Sequence, residues 1–149
     1  MLFRSLTTAN TCRTATSAVA LATQSEAKTL FNANNGGVVG AGCYFDVNVT
    51  NPDGISLCGV YANCNTGANV SATATVYITP TTYVGNDANS AVWTQIGSGT
   101  ALTANFNSPT YFQFAAKSYL APGSYGMAVF VGGGTGPAYS GTGTSPLPG

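Results

Sequence analysis

The sequence contains no histidine and very little charge. Only 5% of its 149 residues are Asp, Glu, Lys or Arg, and the formal net charge is zero, whereas an ordinary soluble domain has about 25% charged residues. Without histidine there is no imidazole base for a catalytic triad and no His ligand for a zinc site. Without clustered Lys and Arg, a nucleic-acid surface is not expected either. The composition argues against most enzymes and predicts no cofactor.

Long apolar runs are also missing, so no membrane span of about 20 residues is expected. A standard signal peptide is not expected, because the best apolar run near the N-terminus covers only residues 17–22 and follows Arg13. Its hydrophobic core would have to be longer. We therefore expect the chain to be made in a cytoplasm and not exported by a standard signal.

The chain does contain enough apolar material for one core, with 44% hydrophobic and 11% aromatic residues. Its polarity comes from Thr, Ser, Asn and Gly, which favour strands and turns. Alternating apolar and polar residues predict strands at 43–50, 55–62, 70–79, 92–96, 110–115 and 124–131. The predicted fold class is all-β: a two-layer antiparallel β-sandwich, jelly-roll-like, over residues 28–141. A non-globular N-terminal arm (1–27) and a flexible C-terminal tail (142–149) flank this domain.

The turn sequence Asn51-Pro52-Asp53-Gly54 predicts that the first two strands form a hairpin. In that register Cys43 and Cys64 are diagonal neighbours on one face, slightly too far apart for an unstrained disulfide. The four cysteines have no C-x-x-C spacing, and in a reducing cytosol free thiols are expected. If the protein is oxidised, Cys43–Cys64 is the expected disulfide.

Aromatic and polar side chains supply the remaining candidates for a site. The oxygen-rich segment at residues 86–89 has one carboxylate, so it is interpreted as a loop rather than a Ca²⁺ site. Three aromatics are expected in the core: Phe45, Trp93 and Tyr125. Three candidates for stacking on a sugar ring are Tyr77, Tyr83 and Trp93.

Several short motifs occur in the order typical of one bacterial β-sandwich family. They are Thr29-Leu30-Phe31, Asn34-Asn35-Gly36, Gly42-Cys43-Tyr44-Phe45-Asp46, Val76-Tyr77, Thr82-Tyr83-Val84-Gly85, Trp93-Thr94, Pro122-Gly123-Ser124-Tyr125-Gly126 and Tyr139-Ser140-Gly141. Over residues 28–143 the chain resembles this family, which occurs in secreted surface proteins and in bacteriophage virion structural proteins, cyanophages included. The resemblance implies a sandwich and no catalytic residues. The four cysteines and the N-terminal extension depart from the family pattern.

The leading hypothesis is a non-enzymatic structural protein of a virion, most of all a capsid decoration or cement protein. Its partners would be further copies of itself and a major capsid protein. The arm would reach a neighbouring subunit, with Leu2, Phe3 and Leu6 as apolar anchors and Arg4 facing an acidic or carbonyl-rich surface. Two alternatives are a bacterial cell-surface or extracellular filament subunit, and a carbohydrate-binding or adhesion module.

Overall fold

A computed structural model describes residues 5–6, 40–106 and 108–138 of the chain. The strands are β1 (Ser5–Leu6), β2 (Gly42–Val49), β3 (Ile55–Asn63), β4 (Ser71–Pro80), β5 (Thr94–Leu102), β6 (Pro109–Leu120) and β7 (Gly123–Gly133). A 3₁₀ turn at Ser90–Val92 precedes β5. Two antiparallel sheets, ordered β1-β3-β6 and β2-β7-β4-β5, pack together. The predicted all-β sandwich is confirmed.

The core lies between the two sheets because alternate residues of each strand face inward. On β4 the inward set is Ala72, Ala74 and Val76, as the alternation predicted, and all three are buried. Burying side chains of this kind is worth roughly 1.5–3 kcal/mol for each large one. The buried apolar residues that form the core are Val49, Leu57, Val60, Ala62, Cys64, Ala72, Ala74, Val76, Phe112, Phe114, Leu120, Met127, Val129 and Val131.

The predicted turn at residues 51–54 forms, but the predicted hairpin is wrong. The Gly54 N–H donates to the Asn51 carbonyl at 2.9 Å, and Gly54 has a φ of +69°. The turn carries the chain from one sheet to the other: β2 pairs with β7, and β3 pairs with β1 and β6. Placing β2 and β3 in opposite sheets lets both apolar faces cover the same core, which a hairpin within one sheet does not achieve.

Two glycines of β5 allow the sheets to approach closely at one side of the sandwich. A Cβ at Gly97 would collide with the ring of Phe114, and a Cβ at Gly99 would collide with the carbonyl oxygen of Gln113. Both neighbours belong to β6. The hydroxyl of Ser118, also on β6, donates to the carbonyl oxygen of Ile96. At Gly97 and Gly99, strand β5 therefore lies directly against β6 with no β5 side chain between them.

The cysteines differ from the expectation in two respects. Cys43 and Cys64 are not disulfide-bonded, so the disulfide expected between them on oxidation is wrong. The physical reason is the topology, since Cys43 lies on β2 and Cys64 follows β3, in opposite sheets. Cys58 is disulfide-bonded, so the expectation of four free thiols is wrong at this residue.

We expect neither the Cys43 thiol nor the Cys64 thiol to react in the folded protein. Desolvation by burial raises the pKa of Cys43 from 9.0 to about 11. Desolvation also raises the pKa of Cys64, against the opposing effect of a hydrogen bond with Thr110. Because the thiolate is the reactive form, an alkylating agent at about pH 8 should label neither Cys43 nor Cys64 until the protein is denatured. Denaturation should then expose the thiols of Cys43 and Cys64 to the reagent, and reduction should add Cys58. Labelling of Cys43 in the folded protein would contradict its raised pKa.

The N-terminal segment contributes a short strand to its own domain. In β1, Ser5 lies opposite Leu57 and Leu6 lies opposite Ser56. At these two residues the segment predicted as an arm pairs with the chain's own β3 and not with a neighbour. The other predicted anchors, Leu2, Phe3 and Arg4, lie outside the described residues, as does the predicted tail at 142–149.

Candidate functional site: an aromatic cleft on the four-stranded sheet

A row of side chains crosses three strands on the outer face of the four-stranded sheet. Tyr44 on β2 lies opposite Ala128 on β7, and Ala128 lies opposite Tyr77 on β4. Phe130 is two residues further along β7 and so faces the same way. Its ring makes edge contacts at centroid distances of 5.7 Å to Tyr44 and 5.9 Å to Tyr77. Because Ala128 is small, a depression remains between the two tyrosines.

A loop at residues 81–93 lies over this face, between β4 and β5. Where the loop leaves β4, Thr81 has a φ of +73°, a left-handed conformation that is uncommon for residues other than glycine. The loop then crosses β7 at Gly126, where a Cβ would collide with the backbone nitrogen of Tyr83. The glycine therefore allows the loop backbone to lie directly on the sheet.

Asp46 holds the loop to β2, the strand that pairs with β7. It lies on β2 opposite Gly126, and both of its carboxylate oxygens accept hydrogen bonds from the loop. The Thr82 hydroxyl donates to Oδ2 at 2.8 Å, and the Tyr83 N–H donates to Oδ1 at 2.8 Å. Hydrogen bonds to an ionised acceptor are stronger than those between neutral groups. We name this pair of bonds the Asp46 clamp.

Two further hydrogen bonds connect the Asp46 clamp to Trp93. The side-chain amide of Asn86 donates to the Thr82 carbonyl at 2.9 Å, and the indole Nε1–H of Trp93 donates to the Asn86 carbonyl at 2.8 Å. Trp93 packs edge-on against Tyr44 with centroids 5.5 Å apart, and Tyr83 stacks on Tyr44 at 6.3 Å. The orientation of Trp93 thus depends on bonds that begin at β2.

A cleft of about 400 Å³ lies between this loop and the sheet. That volume is within the range of small-ligand sites, about 300–1,000 Å³. The residues that line it are Tyr44, Tyr77, Asp87, Ala88, Ser90, Trp93, Ala128 and Phe130. Its walls are therefore aromatic, and the polar side chains Asp87 and Ser90 belong to the exposed part of the loop.

The charge around the cleft is negative. Asp87 is part of its lining, and Asp46 is two residues from Tyr44 on the same strand face. Among the described residues the cation is Lys117, which is exposed on β6 of the opposite sheet. An anionic ligand in the cleft would thus lie against the Asp87 carboxylate, with Asp46 on the same sheet face, and the described part of the chain places no compensating cation on this face.

The structure brings together the three aromatics proposed from the sequence to stack on a sugar. Tyr77 and Trp93 line the cleft, and Tyr83 stacks behind Tyr44. The expectation that Trp93 belongs to the core is wrong, because the loop places it on the outer face. Phe45 and Tyr125 pack against the core as expected. Sequence reasoning missed two members of the site, Tyr44 and Phe130, although their strands alternate clearly enough to assign both to the outer face.

The segment at residues 86–89 belongs to the turns of this loop, as interpreted from the sequence. Within the described ranges no three His, Cys, Asp or Glu side chains are grouped as a metal site would require. In the same residues no helix has the length and hydropathy needed to cross a membrane.

Comparison of the chain with protein-family models, with curated proteins and with solved structures found no match. The family resemblance of the short motifs therefore stays a prediction.

Proposed function

We propose that the chain is a non-enzymatic binding module that holds a carbohydrate in the aromatic cleft. The observation that carries the proposal is the set of four rings lining one cleft: Tyr44, Tyr77, Trp93 and Phe130. One face of a sugar ring presents C–H groups with partial positive charge, and the face of an aromatic ring is negative, so the two stack favourably. The polar side chains of Asp87 and Ser90 supply hydrogen-bond partners for sugar hydroxyls at the same cleft.

The charges support a sugar over a nucleic acid as the ligand. Aromatic side chains also stack on bases, but binding of a nucleic acid depends on cations that neutralise its phosphates. Near this cleft the described charges are those of Asp46 and Asp87. A sugar carries no phosphate backbone and needs no such neutralisation.

The disulfide at Cys58 supports a location outside the cytoplasm. Disulfides persist in oxidising surroundings such as cell surfaces and virion surfaces. There a sugar-binding sandwich would serve adhesion, which agrees with the cell-surface hypothesis. The capsid decoration hypothesis stays a prediction, since Leu2, Phe3 and Arg4 lie outside the described residues and Leu6 belongs to β1.

A glycan array followed by titration tests the proposal. Trp93 is the sole tryptophan of the chain, so its fluorescence reports directly on occupation of the cleft. Tyr77→Ala should weaken binding by about thirtyfold, which corresponds to about 2 kcal/mol for the loss of a central aromatic anchor. Tyr77 is the suitable position because it touches Phe130 alone among the ring pairs of the cleft, so its truncation disturbs the loop little.

The matched control is Tyr119→Ala. Tyr119 is 61% exposed and lies on β6 of the other sheet, so its loss should leave the affinity for the glycan unchanged. Absence of binding to every glycan on the array would overturn the proposal. Equal loss of affinity in both variants would place the sugar somewhere other than the cleft.

A further inference from the structure

Paired hydroxyl groups continue the outer face beyond the aromatic cleft. Thr75 on β4 lies opposite Phe130, a wall of the cleft, and on its other side opposite Ser98 of β5. The side-chain oxygens of Thr75 and Ser98 are 3.3 Å apart. Two residues further along each of these strands, the hydroxyl oxygens of Thr73 and Thr100 are 2.8 Å apart. These four hydroxyl groups form a strip on the outer face, which we name the hydroxyl strip and which begins beside Phe130.

These hydroxyls retain hydrogen-bonding capacity for a ligand. A Ser or Thr hydroxyl has one proton to donate and two lone pairs to accept with. Ser98 also contacts the Ala74 carbonyl at 3.2 Å, a bond for which it must be the donor. When Ser98 donates there, Thr75 donates to Ser98, and the free lone pairs of both oxygens remain as acceptors. Sugar hydroxyls are donors that suit such acceptors.

The negative charge of the cleft selects among sugars. A uronic acid, sialic acid or sulfated sugar placed against the rings would bring its anion close to Asp87, with Asp46 on the same face. The hydroxyl strip adds no positive charge, and Lys117 lies on the opposite sheet. Repulsion between like charges opposes binding of an acidic sugar, so an uncharged sugar is favoured.

We infer that the ligand of the cleft is an uncharged oligosaccharide that extends out of the cleft, with a second sugar over Thr75 and Ser98. The inference rests on the proposed function and deepens it. One sugar stacks among the rings, and the next donates hydrogen bonds to the two hydroxyls beside Phe130. The site therefore distinguishes glycan chains from single sugars and neutral chains from acidic ones.

The test measures affinity as a function of chain length. The probes are a neutral series, the xylo- or chito-oligosaccharides with the stronger array signal, from monosaccharide to tetrasaccharide, and oligogalacturonides as the acidic counterpart. From monosaccharide to trisaccharide the affinity of the neutral series should rise by about tenfold or more. Oligogalacturonides of equal length should bind at least about tenfold more weakly than the neutral chains.

The double variant Thr75→Val with Ser98→Ala removes both hydroxyls while retaining strand-forming side chains. It should abolish the gain with chain length and leave monosaccharide affinity unchanged. Ser124→Ala is the control, because Ser124 lies on the same sheet face but beyond Gly126, where the loop crosses. It should bind like the unchanged protein.

The outcomes separate this inference from the proposed function. Equal affinity for monosaccharide and trisaccharide, stronger binding of the acidic chains, or full length dependence in the double variant would overturn the inference while the cleft still binds sugar. No binding of any probe, on the array or in solution, would overturn the proposed function and the inference together.

Discussion

Gly99→Ala should destabilise the domain by about 3 kcal/mol or more, the upper end for a group forced into a packed site. A Cβ at this position would meet the backbone carbonyl of Gln113 on β6. A backbone atom cannot rotate away as a side chain can, so β5 and β6 must separate. For a domain of this size the melting temperature should fall by roughly 10 °C. Circular dichroism during a thermal scan measures the change.

Gly132→Ala is the matched control on the same sheet. Its Cβ would have the Gly40 Cα as its nearest neighbour at 3.7 Å, an ordinary contact. Because alanine restricts the unfolded chain more than glycine, this variant should melt at the same temperature or slightly higher. Gly97→Ala should fall between the two, since its neighbour is the ring of Phe114. A Gly99→Ala protein that melts like Gly132→Ala would show that β5 and β6 are not in close contact.

The strands could be predicted from the sequence because one face of each is buried. Alternation on β2, β4 and β7 reports which residues face the core, and it located these strands to within one or two residues. The predicted ranges for β5 (92–96) and β6 (110–115) are shorter than the strands themselves. Gly97 and Gly99 interrupt the alternation of β5, because here the facing backbone and ring fill the space that side chains occupy elsewhere.

Strand pairing could not be predicted in the same way. The turn at residues 51–54 has the residues of a tight turn, and those residues fix only the local geometry. Whether the chain returns along the same sheet or crosses to the other depends on which arrangement covers the core. β2 pairs with β7, which lies more than 70 residues further along the chain (Val49 is opposite Gly123). The mistaken hairpin led directly to the mistaken Cys43–Cys64 pairing.

The candidate site depends on contacts between motifs that are far apart in the sequence. Asp46 ends one of the short motifs, Thr82 and Tyr83 begin another, and Gly126 ends a third. In the structure Asp46 accepts hydrogen bonds from Thr82 and Tyr83, and the backbone of Tyr83 lies on Gly126. Each motif alone indicated a loop or a strand end. Together the three motifs hold the loop that carries Trp93. This can be recognised only when the order of the strands in the sheet is known.

Asp46→Ala should cause the largest loss of ligand binding of any change outside the cleft lining. The variant removes both hydrogen bonds of the Asp46 clamp, each worth up to about 1.5 kcal/mol because the acceptor is charged but exposed to water. If the closed loop becomes the minor state, the apparent Kd rises in inverse proportion to the fraction of molecules in which the loop remains closed, by up to about a hundredfold. Trp93 should also become more exposed to water, and its emission maximum should shift to longer wavelength. Fluorescence of the free protein and a glycan titration measure the two effects.

Asp46→Asn tests whether the effect comes from the clamp geometry. The Asn carbonyl oxygen can still accept from the Tyr83 N–H, and its amide can donate to the Thr82 hydroxyl oxygen, so this variant should retain most of the binding and the original emission maximum. Asp53→Ala is the control for loss of an exposed carboxylate, since Asp53 lies in the turn between β2 and β3. A merely structural role of Asp46 would lower the melting temperature without moving the Trp93 emission. Unchanged emission together with unchanged affinity in Asp46→Ala would show that the loop is held by its contacts with Gly126 and Tyr44, and that Asp46 does not position Trp93.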